Sequence, residues 1–301
     1  MASIISLTAD DYTVALICAM SVEQAPVEAL LDEIHPDLPT TTLDKNTYTY
    51  GRMHKHNVVI AASPRTGNTS AASVATQVLN DFRNLQFGLL IGIGGGLPDL
   101  DRGVDIRLGD VVVSKPEGTF GGVVQLCRGK SLAGGGFERT GSLNSPPHVL
   151  LAAAGRLEGV HRRVNSAISS FIHEMLERYP KMKAGGYVHQ GPENDKLFQA
   201  ESEHRGGGIC SACDSAALVQ RAPRTLFHLV IQHGTIGDKI RDDLRLCCIE
   251  SEAAGLKESF SCLNDRWQPY AAAAAAAYAK ELLSYVPVLN RPQNDLSKDS
   301  D

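Results

Sequence analysis

"FGLLIGIGGGLP", residues 87–98, is the stretch on which the fold turns. Its first half is an unbroken apolar run, the pattern of a strand covered on both faces. Its second half dissolves into glycine, where the backbone can turn tightly or lie close to a ligand. The cluster Gly92–Gly96 is not G-x-G-x-x-G, because Leu97 stands where the third glycine belongs, and no G-K-[ST] follows to make a Walker loop. It is either a ligand-cradling loop or a tight turn.

The same grammar of strand, small-residue turn and helix recurs on either side. "YTVALICAM" (12–20) reads as a buried strand. "VEQAPVEALLDEI" (22–34) reads as the following helix, with Ser21 as N-cap, Gln24 as its capping-box partner and Pro26 near the first turn. "TYTYGRMHKHNVVIAAS" (47–63) is a hairpin broken at Gly51, with "HKH" (54–56) a solvated strand or turn. "PRTGNTSAASVATQVLNDF" (64–82) is a glycine turn and a helix, and "LGDVVVSKP" (108–116) another short buried strand. This order predicts an α/β sandwich with a largely buried sheet.

Between about 121 and 224 the grammar fails. A glycine-rich stretch is followed by one helical pattern, Val164, Ile168, Phe171, Ile172 and Met175, and then by an irregular excursion over 183–224. "LFHLVIQHGTI" (226–236) returns to strand. "QPYAAAAAAAYAKELLSYV" (268–286) is a strong helix by propensity. The expected organisation is a short N-terminal tail (1–11), one domain (12–288) containing the excursion, and a polar tail (289–301).

Composition narrows the function classes. The chain has 301 residues, 43% hydrophobic and 21% charged, the profile of a soluble globular protein. Its net charge of −5 leaves no basic footprint for nucleic acid. No apolar run is long enough to span a bilayer, and the N-terminus lacks a signal peptide's basic region. Seven cysteines, an odd number, read as reduced thiols of a cytoplasmic protein.

Three groups of residues are candidates for chemistry. Glu250 and Glu252 stand at a strand-to-helix junction, the ligand end of a parallel sheet. Carboxylates there either hold sugar hydroxyls and support positive charge on the sugar, or merely complement a helix dipole. Glu23 occupies the same place after the first strand, with the same two readings. "CSAC" (210–213) has zinc-ligand spacing, but only His189 and His204 lie nearby and no second pair exists, so surface thiols are the better reading. No serine sits in G-x-S-x-G, and the ten histidines show no paired metal spacing on a helix.

"VALICAMSVEQAPVEALL", "TGNTSAASVATQ", "FGLLIGIGGGLP", "DIRLGDVVVS", "GGFERTGSLNSPP", "HGTI", "IESEAAGL" and "WQPYAAAAAAAYAKELL" occur in that order. Together they resemble the nucleoside phosphorylase and nucleosidase superfamily. The resemblance is nearest to the domain that opens many fungal multidomain proteins carrying NACHT and ankyrin or TPR regions, and runs from about Tyr12 to Val286. It implies a three-layer α/β/α fold with a mixed, partly barrelled central sheet. It implies cleavage of the N-glycosidic bond of a purine nucleoside by water or phosphate, through a ribosyl oxocarbenium ion, in a homo-oligomer without metal or organic cofactor. The water-activating glutamate falls on Glu23. The acid–methionine–acid signature falls on Glu250, Ser251 and Glu252, with Glu252 gripping the ribose hydroxyls, Glu250 as support and the smaller, more polar Ser251 in the methionine's place. Gly92, Gly94, Gly95 and Gly96, with Thr66 and Gly67, form the ligand loop beside the ribose and any phosphate.

The departures from the pattern are as informative. Leu90 stands at the family's phosphate-binding arginine and Ile93 at its serine, which favours hydrolysis over phosphorolysis unless Arg65 or Arg139 supplies the charge. After "HGTI" the base-lining turn is missing. After the "EAAG" segment, the strand that ends in the proton-donating aspartate is missing, and Asp265 is the nearest acid. The expected chain keeps the sugar half of the site and lacks the base half. An inactive nucleoside-sensing or oligomerisation module is the alternative.

Overall fold

The computed structural model describes residues 7–39, 46–63, 68–96, 98, 100, 103–123, 129–133, 137–141, 143–199, 202, 213–224, 230–233, 235–236, 249–252 and 264–288, some of them, including 249–252, in backbone alone. The first strand, β1 (Val14–Cys18), leads into α1 (Ser21–Ala29), a short β2 (Glu33–Ile34) and the hairpin β3 (Tyr48–Met53) and β4 (His56–Ala62). Helix α2 (Asn68–Asp81), β5 (Phe87–Gly94) and β6 (Val111–Ser114) follow. Two small two-stranded pairings join β7 (Gly122–Val123) to β11 (Thr235–Ile236) and β8 (Gly129–Ser131) to β9 (Phe137–Arg139). Helices α3 (His148–His161), α4 (Ile168–Arg178) and α5 (Pro180–Ala184) precede β10 (Val230–His233), β12 (Ile249–Glu252) and the long α6 (Asn264–Leu283).

Eight strands form one mixed sheet in the order β10-β6-β12-β5-β1-β4-β3-β2. The middle strands β12, β5, β1 and β4 are parallel, while β6 runs antiparallel to β12. Alternation along the strands sorts side chains into two cores. Val14, Leu16, Val58 and Ile60 face a core built with α1, α3, α4 and α6. Ala15, Val59 and Ala61 face a second core with α2 and the aromatic rings of Tyr12, Tyr48, Tyr50 and Phe82. The result is the three-layer α/β/α sandwich expected from the sequence, with a mixed central sheet.

Helix α6 carries the first core. Ala271 to Ala277 are at most 1% exposed, and Trp267 and Tyr278 are fully buried. A helix apolar all round belongs inside a protein, and the alanines let α1, α4 and the sheet approach its backbone closely. Its one buried cation, Lys280, donates to the Leu30 carbonyl at 2.7 Å and to Asp32 Oδ1 at 2.5 Å.

Several local expectations are corrected. The N-cap of α1 is Met20, not Ser21, and the side chain reaching back is Glu23, not Gln24. Pro26 lies well inside α1 rather than in its first turn. The Val22 carbonyl, deprived of its helical donor by proline, instead accepts from Tyr187 Oη at 3.2 Å. The helix stops at Ala29, and Glu33–Ile34 is a strand paired to Gly51 and Arg52. Gly51 is therefore not the hairpin turn. A Cβ on it would sit 2.5 Å from the Glu33 carbonyl oxygen, so its bareness admits β2. The turn is His54–Lys55, with His54 at φ 54°. His56 is buried rather than solvated, its Nε2 meeting the Val286 carbonyl at 3.1 Å. The 121–224 stretch is less irregular than its composition suggests, since α3 lies within it, and Val164 is exposed outside α4. The final helix begins at Asn264 and takes in Asp265 and Trp267. Among the described residues no helix is long and apolar enough to cross a membrane.

If α6 sets the spacing of the first core, Ala274→Leu should destabilise the fold by about 1–3 kcal/mol through overpacking. Urea unfolding followed by circular dichroism checks this, and an unchanged midpoint would contradict it.

Candidate functional site

Parallel strands β1, β4, β5 and β12 all end at one edge of the sheet, at Cys18, Ala62, Gly94 and Glu252. That edge is where α/β sheets bind ligands. Helix α1 starts there, and its third residue, Glu23, turns back over the strand ends. Glu23 Oε2 accepts from the Ala19 and Met20 amides, both at 2.8 Å. Its Oε1 crosses to the neighbouring strand and accepts from the Ile93 amide at 2.9 Å.

The carboxylate is 2% exposed. Three of its roughly four lone-pair positions are filled by these amides, leaving one on Oε1. Burial pushes its pKa up and the three amides from Ile93, Ala19 and Met20 pull it down, with burial prevailing. Gly92 gives it room, since a Cβ there would lie 3.0 Å from Oε1. Gly92 and Gly94 thus belong to strand β5 rather than to a loop, and only Gly95 and Gly96 follow it. The buried Cys18 thiol beside Glu23 is pushed up by burial and by that carboxylate, which keeps it protonated.

On the other side of β5, strand β12 pairs Glu250 with Gly92, Ser251 with Ile93 and Glu252 with Gly94. The register brings Glu23 and the backbone of the Glu250–Glu252 signature to opposite flanks of the same three residues. Leu90 lies within β5, two residues before this segment. Thr66, Gly67 and Arg65 lie outside the described residues, as does Cys210, and Arg139 is described in backbone only. Cys213 is half-buried. Among the described residues no group of His, Cys, Asp and Glu is arranged to hold a metal ion.

One constellation was not legible in the sequence. The segment before β6 carries Asp105, Arg107 and Asp110, and the far end of the excursion carries Arg221 and Arg224. Arg224 Nη1 grips both oxygens of the fully buried Asp110 at 2.8 Å. Arg107 bonds Asp105 at 2.6 Å, and Arg221 bonds Asp195 at 2.8 Å and Asp105 at 3.3 Å. Burial raises the Asp105 pKa, but the surrounding Arg107, Arg221 and Arg224 outweigh it, and the carboxyl is held below its usual value. Two of these pairs, Arg221–Asp105 and Arg224–Asp110, tie the end of the excursion to the segment before β6 across more than a hundred residues of chain, a separation that no motif spacing reveals. Beside these pairs lies a cavity of about 400 Å³.

No protein-family model matches the chain. Its backbone is similar to that of a 5'-methylthioadenosine/S-adenosylhomocysteine nucleosidase described as putative, from Borrelia burgdorferi B31 and bound to adenine, with TM-score 0.51 and 11% identity over 90% of this chain and 99% of that one. It is similar also to the 5'-methylthioadenosine/S-adenosyl homocysteine nucleosidase of Helicobacter pylori, with TM-score 0.50 and 14% identity over 91% and 98%. The chain shares the fold of these nucleosidases. In sequence it is 36% identical, over an alignment of 314 residues and 93% of its length, to a nucleotide-binding leucine-rich repeat (NLR)-like protein of Hyaloscypha variabilis. The chain spans about 30% of the length of that fungal relative.

Glu23→Ala would leave three amides at the strand ends without an acceptor. Each such buried donor costs about 1–3 kcal/mol, so thermal unfolding should shift down even without ligand, whereas Glu23→Gln, which keeps a carbonyl oxygen, should lose less. Equal melting of the alanine variant and the parent would contradict the bonding described.

Proposed function

We propose that this chain binds a purine nucleoside at the Glu23–Gly92–Glu252 edge and hydrolyses its N-glycosidic bond. The observation that carries the reading is the Glu23 carboxylate itself. It is buried, fixed by three amides from two strand ends, and has one lone pair left for a water. A cap serving only the helix has no need of burial, which makes its ionised form costly. A buried carboxylate with a raised pKa at a ligand edge is the pattern of a general base.

In this reading Glu23 takes a proton from a water as that water attacks C1' of the ribosyl cation. Glu252, with Glu250 beside it, holds the ribose hydroxyls and stabilises positive charge on the sugar. Leu90 and Ile93 offer no charge to phosphate, which favours water as acceptor. The absence of the aspartate-bearing strand from the sequence costs turnover, since a general acid typically contributes ~10²–10⁴ in rate. The sequence relationship to part of a longer NLR-like protein favours one further reading, a domain that senses a nucleoside with little or no turnover.

Incubating the purified chain with adenosine, inosine or methylthioadenosine, with and without phosphate, and following free base by chromatography, tests this. Slow release independent of phosphate and abolished by Glu23→Gln is expected. Release only with phosphate would overturn the hydrolytic reading. No release from a folded chain that still binds nucleoside would favour the sensor.

A further inference from the structure

The cavity lined by residues 192–193, 195–197 and 218–224 lies toward the ligand edge of the sheet. Strand β6 runs antiparallel to β12, and Val111 pairs with Ser251, whose other partner is Ile93. The start of β6 therefore lies at the ligand edge, two strands and about 10 Å from β5. Arg107 and Leu108, just before β6, line the cavity. A second link comes from the excursion. Tyr187 bonds the Val22 carbonyl next to Glu23, and two residues later His189 lines the cavity.

The lining combines apolar walls from Leu108, Leu197 and Leu218 with groups that donate hydrogen bonds. Arg107 spends Nε and Nη2 on Asp105 and the Ala222 carbonyl, and no partner is recorded for its Nη1 among the described residues. The His189 Nδ1 accepts from the Gly191 amide at 3.0 Å, so the neutral ring carries its hydrogen on Nε2. Lys196 adds further donors. Of the two acids on the lining, Asp195 is held by Arg221 and Glu193 accepts from Asn194 Nδ2 at 3.2 Å. A cavity of this size suits a ligand as small as a nucleobase.

We propose that this cavity is the nucleobase pocket of the same site, standing where the sequence lacks a base-binding turn, and that it selects a 6-oxopurine through Arg107; the inference rests on the nucleoside-cleaving reading. A 6-oxopurine presents two acceptors, N7 and O6, along one edge, and Arg107, its Nε and Nη2 held by Asp105 and Ala222, meets O6 through Nη1 as a single charge-assisted donor. A 6-aminopurine presents a donor at position 6, opposite the donors of Arg107. Arg107 does not hand over a proton. As the C1'–N9 bond breaks, the bonding pair moves into the base, and a fixed positive charge at O6 stabilises it. Water supplies the hydroxyl that C1' gains, and its proton passes by way of Glu23 to the departing base.

Calorimetric titration of the full chain with hypoxanthine and with adenine tests the proposal. Hypoxanthine should bind about tenfold more tightly, the discrimination expected of one charge-assisted hydrogen bond. Leu218→Trp, which fills the cavity, should weaken hypoxanthine by a similar factor with unchanged circular dichroism. Arg107→Lys keeps the charge beside Asp105 and should erase the preference over adenine, and it serves also if the tryptophan variant does not fold. Adenine binding as tightly as hypoxanthine would overturn the selectivity, and hypoxanthine binding untouched by both variants would overturn the pocket. Hypoxanthine binding that both variants weaken, in a chain that releases no base, would remove the hydrolase and leave the pocket. Base release with binding untouched by both would do the reverse.

Discussion

The ligand edge of this protein depends on one carboxylate. Glu23 closes the start of α1 by holding the amides of Ala19 and Met20, and in the same gesture holds the Ile93 amide of the neighbouring strand. Two backbone segments, whose three amides would otherwise be open donors, are thereby fixed against each other. Because the carboxylate is buried, its charge is paid for by those amides alone, and burial wins by a margin that leaves the pKa raised. Gly92 completes the arrangement by its lack of a side chain.

Around that edge the fold supplies rigidity from two unlike sources. On one side, α6 offers alanines where most central helices offer leucines, so the sheet, α1 and α4 close onto a thin rod. On the other, buried arginine–aspartate pairs tie the 192–224 loops down. Buried pairs of this kind contribute little net stability, but removing one partner is costly, of order 3–5 kcal/mol. Such pairs specify where a loop sits more than how firmly the chain folds. Here they hold the loops over a cavity at the ligand edge.

Much of this was legible in the sequence because local chemistry and tertiary role agreed. The apolar run ending in Gly92 and Gly94 had to be a covered strand, and Glu250 and Glu252 had to stand at its ligand end. Errors came where two residues competed for one role. Ser21 has the ordinary chemistry of an N-cap, yet the reach of Glu23 sets the helix start one residue earlier. Gly51 has the ordinary chemistry of a turn, yet its bareness serves a neighbouring strand and His54 takes the turn. Helix α3 was hidden by the glycine- and proline-rich chain before it, although Leu150, Ala153, Ala154 and Leu157 keep helical spacing. The arginine–aspartate staple left no local trace, because Arg221 and Arg224 stand more than a hundred residues from Asp105 and Asp110.

The most direct test of this account is the titration of the Glu23 side-chain carboxyl, followed by carbon-13 NMR together with the amide proton of Ile93. The account predicts a midpoint clearly above the ~4.3 of an ordinary glutamate, with the Ile93 amide shifting in the same pH window as its bond to Oε1 changes character. A midpoint at or below that ordinary value, or an Ile93 amide indifferent to the titration, would contradict it. Glu23 would then be a solvated helix cap and not the buried base on which the site is built.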